Sequence, residues 1–113
     1  MKQPTVLQVL IKADQLLATP SRWIKGRLAQ RELHAPTRYC MLGAIYAASD
    51  KLTPEVRLEL IDECCKALVD HYEADVPCEE YARHSLAAFN DAPRRTFEEV
   101  KAAFRTAIDE RKA

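Results

Sequence analysis

The run Pro36-Thr37-Arg38-Tyr39-Cys40-Met41-Leu42-Gly43-Ala44-Ile45-Tyr46-Ala47-Ala48 constrains the fold more than any other stretch of this chain. Arg38 is its only charge, and no acidic residue appears before Asp50. A helix that is apolar nearly all round belongs in an interior. The run reads as a helix over 36–49, with Pro36 in its first turn, where the missing N–H costs nothing. Gly43-Ala44 and Ala47-Ala48 keep it thin, so a neighbouring helix can approach closely. It is therefore expected at the centre of the molecule.

What surrounds it is expected to be helical. The chain of 113 residues holds only two glycines, Gly26 and Gly43, too few for the many tight turns of an all-β fold. Residues 5–18 carry Val6, Leu10, Ala13 and Leu17 at helical spacing and stop at Thr19-Pro20. Residues 54–73 follow an N-cap at Thr53 and line Val56, Leu60, Cys64 and Leu68 on one face. A break at Asp75-Val76-Pro77 precedes a helix over 78–90, closed by the turn residues Asn90-Asp91-Ala92-Pro93. Thr96-Phe97-Glu98-Glu99 is a capping box opening a last helix to about Arg111. Residues 22–35 fit no clean helical face, and Gly26 interrupts them; they read as irregular or hairpin-like. The expected fold is thus all-α: one domain over 1–113, about five helices packed around the apolar helix 36–49.

Composition excludes several classes. Apolar residues make up 48% and charged residues 30%, which is globular rather than disordered. No apolar run reaches the length of a membrane span. With no apolar leader after Met1, the expectation is a cytoplasmic protein with reduced thiols and no membrane partner. Net charge is zero but unevenly spread. Residues 1–40 hold seven Lys/Arg against two Asp/Glu, residues 41–91 four against eleven, and residues 92–113 six against four. Basic and acidic segments facing each other within one fold or dimer account for this, and steering of a partner would use the same field.

Three constellations bear on chemistry. Cys40, near a helix start and beside Arg38, is where a thiolate would be stabilised. With His84 as base and Asp91 as orienting group it would make a thiol-dependent hydrolase. The competing reading is a small buried hydrophobe, the usual fate of a free cysteine. Cys64, Cys65, His71, Cys78 and His84 contain no C-x-x-C and no paired-histidine spacing, so no metal site is expected. No cofactor is expected either, because no glycine-rich phosphate loop exists. The basic segment 22–38, with Arg22, Lys25, Arg27, Arg31 and Arg38 around Trp23 and Tyr39, offers phosphate-binding character and hence a nucleic-acid accessory role. Arg94 joins Trp23, Arg22, Lys25, Arg27 and Asn90 as a candidate binding residue, although capping of the local turn explains the 90–96 stretch with less.

Three separated motifs, Trp23-x-x-Gly26, Tyr39-Cys40-x-x-Gly43-Ala44 and Phe89-Asn90-Asp91-x-Pro93-x-x-Thr96, occur in order. Together they resemble a family of small phage and bacterial proteins of unknown function. Tyr39 and Phe89 stand where that pattern has tryptophan, and no turn glycine lies between Gly26 and Pro36. The resemblance implies a phage or prophage setting and no established activity. The leading expectation is a non-enzymatic module acting through a protein partner or by self-association. The Cys40 hydrolase and the nucleic-acid accessory protein are the alternatives.

Overall fold

The computed structural model describes residues 5–70 and 78–112. In order these form α1 (Val6–Leu16), a 3₁₀ turn (Pro20–Arg22), β1 (Ala29–Glu32), β2 (Ala35–Tyr39), α2 (Met41–Ala48), α3 (Pro54–Val69), α4 (Cys78–Asp91) and α5 (Phe97–Lys112). The expected Asp75-Val76-Pro77 break, the extension of the third helix to 73, and His71 lie outside the described residues.

Each helix start has a local cause. Thr5 caps α1 through a full capping box: Gln8 N donates to Thr5 Oγ1 at 3.2 Å, and Thr5 N donates to Gln8 Oε1 at 2.9 Å. Pro54 sits in the first turn of α3, with Glu55 complementing the helix dipole. Thr96 and Glu99 form the same box at α5, with Thr96 N donating to Glu99 Oε1 at 2.9 Å.

The all-α expectation is overturned by a two-stranded antiparallel hairpin, β1–β2, in a fold that is otherwise helical. Pro36, expected in the first turn of a helix over 36–49, lies in β2 instead. Propensity permits either place, because proline is also tolerated in a strand where the ladder is broken. That is where it sits. Ala29 pairs with Tyr39 and Gln30 with Arg38, but Glu32 pairs with Ala35, so Pro36 and Thr37 together oppose Arg31 alone. The turn at Leu33-His34 uses no left-handed residue, since Gly26 holds the only positive φ among the described residues.

The central helix consequently begins at Met41. Cys40 is its extended N-cap (φ −80°, ψ 175°), and its sulfur accepts the Gly43 N–H at 3.2 Å. Met41, Leu42, Gly43, Ala44 and Ile45 are all buried, a full turn with no wet face. Helix α2 packs against α1, α3, α4 and β2, while α5 packs chiefly on α1 and α3. The core joins Leu10 and Leu17 of the N-terminal segment, Ile45, Leu68, Leu86, Phe89 and Phe104.

Gly43 fixes the hairpin on α2. A Cβ there would lie 1.8 Å from the Leu28 carbonyl oxygen. The hairpin backbone therefore rests directly on the helix backbone, with no side chain between them. Cys40 N donates to that same Leu28 oxygen at 3.1 Å, which anchors the hairpin base at the helix N-terminus.

Candidate functional site

The three sequence motifs converge, and Asn90 is what they converge on. It is fully buried in the last turn of α4, which runs through Asp91, one residue past the expected end at 90. Its Oδ1 accepts from Trp23 Nε1 at 2.7 Å and from Met41 N at 3.0 Å. Its Nδ2 donates to Ile24 O at 3.1 Å and to Asp91 Oδ1 at 2.9 Å. Two donors and two acceptor positions are all used, which is the full capacity of a primary amide. Asp91 Oδ1 also accepts from Gly26 N at 2.9 Å. One asparagine thus ties the segment after α1, the start of α2 and the end of α4 to a single point.

The surrounding groups complete the knot. Lys25 Nζ donates to Ala92 O at 2.8 Å and to Pro93 O at 3.4 Å, and lies 5.5 Å from the centre of the Trp23 ring. These carbonyls lie just past the end of α4, where a cation is favoured. Arg95 Nε donates to Phe89 O at 2.9 Å, and its guanidinium lies 3.7 Å from the Phe89 ring centre. Trp23 packs at a tilt on Phe97, centroids 6.3 Å apart. The capping of a local turn expected at 90–93 is thus replaced by tertiary bonds. A side chain that satisfies groups more than forty residues away in sequence leaves no local signature.

In the proposed hydrolytic set Cys40 is the interior member. Cys40 is 4% exposed, and burial pushes its thiol up, with the Gly43 and Leu42 amides opposing and the Asp91 carboxylate adding to the rise. Asp91 is close enough to act on that sulfur electrostatically. His84 is exposed on α4, and no hydrogen bond among the described residues joins it to Cys40. Cys64 and Cys65 are both buried, with burial raising the Cys64 thiol to about 12 and the Cys65 thiol further. Among the described residues no cluster of three metal-ligating side chains forms.

The candidate binding residues divide. Trp23, Lys25 and Asn90 are brought together inside the knot. Arg22 is half-buried at the end of the 3₁₀ turn. Arg27 and Arg94 are exposed and lie apart from the knot's hydrogen bonds. Arg38 pairs with Glu32 at 3.5 Å across the hairpin.

Outside the knot the hairpin carries two exposed leucines. Leu33 at its tip is 91% exposed, and Leu28 at its base is 50% exposed. Beside it runs a groove of about 360 Å³ whose walls include Leu28, Arg31, Tyr39, Tyr46, Asp50 and Arg57. Arg57 is fixed on its own protein: Nη2 donates to Tyr46 O at 2.8 Å and the guanidinium stacks 5.5 Å from the Tyr46 ring centre. This groove is walled in part by the hairpin, which a helix beginning at Pro36 would not form. A second cleft of about 390 Å³ lies between α1 and the α2–α3 connection, with Gln8, Lys12, Ser49 and Asp50 among its walls.

Fold and surface together define a small helix-dominated protein with one β-hairpin among the described residues, seated by backbone contact on α2. The chain belongs to the family of unknown function DUF6197, which matches residues 1–110. Comparison with curated proteins finds no match. Comparison with solved structures finds none either. No helix among the described residues is long and apolar enough to cross a membrane.

Proposed function

We propose that this protein is a non-enzymatic interaction module of phage or prophage type that engages a protein partner through its hairpin. The observation that carries this reading is the pair of exposed leucines, Leu33 and Leu28, on an element whose base is seated directly on the α2 backbone. Large apolar side chains on a projecting, preorganised element reduce the ordering cost of association. The motif residues that first suggested chemistry are meanwhile occupied: Trp23, Asn90 and Asp91 bond to one another or to backbone. The phage or prophage setting rests on the motif resemblance alone.

The hydrolase reading is not adopted, because a buried thiol with a raised pKa and no bonded histidine is a poor nucleophile. The nucleic-acid reading loses two of its five cations: Lys25 is held by two carbonyls and Arg38 by Glu32.

A photo-crosslinking residue at Leu33, in cells, tests the proposal against the same residue at exposed Arg105 on α5. Discrete protein adducts at position 33 but not at 105 are expected. Equal adducts at both sites, or adducts to nucleic acid alone, would overturn it.

A further inference from the structure

The two edges of the hairpin differ. On the β2 edge, Tyr39 O accepts the Ile24 N–H at 3.0 Å, and Trp23 bridges to Tyr39, so the chain covers its own strand. On the β1 edge no described strand pairs, since the sheet holds β1 and β2 only. The bond from Cys40 N to Leu28 O fixes which groups face out. In an antiparallel ladder, bonded and non-bonded pairs alternate. With Leu28 bonded to Cys40 and Ala29 opposite Tyr39, the Ala29 N–H and C=O point away from β2, as the Tyr39 carbonyl does on the other edge. Ala29 is exposed.

The charges of this edge that enter no ion pair among the described residues are both cations. Arg27 and Arg31 are exposed and enter no ion pair among the described residues. Glu32 belongs to the opposite face, where it takes Arg38. Arg31 lines the groove together with Leu28, Arg57 and the acidic Asp50. Short charged edges usually discourage pairing. An edge whose unpaired charges are cations disfavours a basic strand and favours an acidic one, because opposite charges on facing strands stabilise and like charges destabilise.

We infer that the open edge of β1, Ala29–Glu32, takes an extended acidic segment of a partner protein as a third strand. Backbone bonds to Ala29 supply the register. Alternate side chains of the added strand meet Arg31 and the groove, and acidic residues there satisfy Arg27 and Arg31. The inference rests on the hairpin being the contact surface and specifies what it contacts.

The test uses the full-length ¹⁵N-labelled chain with a synthetic peptide of alternating valine and glutamate. The same peptide with lysine in place of glutamate, and an oligothymidylate, serve as comparisons. The acidic peptide is expected to slow Ala29 amide exchange by about tenfold or more, shift the Ala29 and Arg31 resonances, and bind at least about tenfold better than the lysine peptide, equal to ~1.4 kcal/mol. Ala29→Pro removes the outward N–H without touching the ladder and is expected to abolish binding; Trp23 fluorescence reports whether it folds. Arg31→Glu, a surface change, gives the same readout if it does not, with binding reduced about tenfold. Unprotected Ala29, equal binding of both peptides, indifference to Arg31→Glu, or a response to oligothymidylate instead would each overturn the inference. Failure here with protein adducts intact at position 33 removes only the acidic strand; loss of those adducts removes the reading beneath it.

Discussion

Replacing Asn90 is the sharpest test of the knot. Asn90→Ala deletes four hydrogen bonds and strands three groups: Trp23 Nε1–H, Met41 N–H and Ile24 C=O. Met41 is fully buried, so its amide has no route to water, while Trp23 and Ile24 are half-buried and recover part of their loss. An unsatisfied buried group costs about 1–3 kcal/mol. Counting Met41 near the top of that range and the other two near the bottom gives roughly 3–5 kcal/mol. Against a total stability of about 5–15 kcal/mol this is a large fraction. Thermal midpoints should fall by about 15 °C.

Asn90→Asp separates hydrogen bonding from packing. The isosteric carboxylate keeps the acceptor for Trp23 and Met41 but loses both donors, and it faces the Ile24 carbonyl and the Asp91 carboxylate. Its folded pKa is therefore raised above the unfolded value of about 3.9. The folded variant then binds more protons than the unfolded one, so its deficit relative to wild type is full at neutral pH and shrinks as pH falls through the folded pKa. Urea titration followed by the fluorescence of Trp23, the only tryptophan, reads both effects. An Asn90→Ala cost below about 1 kcal/mol, or an Asn90→Asp deficit independent of pH, would refute the claim that buried hydrogen bonding holds the segments together.

Further outcomes follow from named contacts. Gly43→Ala should destabilise severely, since its Cβ would meet Leu28 backbone, whereas Gly26→Ala meets nothing within 4 Å and should cost only about 1 kcal/mol for its φ of +82°; paired urea titrations compare them. The Glu99 carboxyl is held below its ordinary value mainly by the Thr96 amide, so its contribution is present above the unfolded pKa and lost as pH falls through the folded one. Glu99→Gln should flatten the acid limb of the stability curve. Native Cys40, Cys64 and Cys65 should resist a chromogenic disulfide reagent until the chain unfolds; fast native labelling of Cys40 would contradict its burial. Burial raises the Cys64 thiol from 9.0 to about 12, so stability should fall as pH rises above about 9, with a shallower slope in Cys64→Ala.

Local chemistry alone determined much of this protein. The capping box at Thr96–Glu99, Pro54 at the start of α3 and the apolar spacing of α1 each depend on residues within a turn or two, and each is where the sequence places it. Burial of Met41–Ile45 follows likewise from a segment with no polar side chain to hydrate. Tertiary structure decided the rest. Whether Pro36 opens a helix or breaks a strand depends on the Leu28 carbonyl and Ile24 amide, which reach Cys40 and Tyr39 from outside the segment. Asn90 reads as a turn residue because local bonding is all that neighbours in sequence can offer, yet its partners lie at Trp23, Ile24 and Met41. Gly43 looked like a means of close helix packing and serves close packing of a strand end instead, because the backbone it admits belongs to Leu28. A residue's reach in sequence is set by its side chain; which distant groups come within that reach is set only when the core closes.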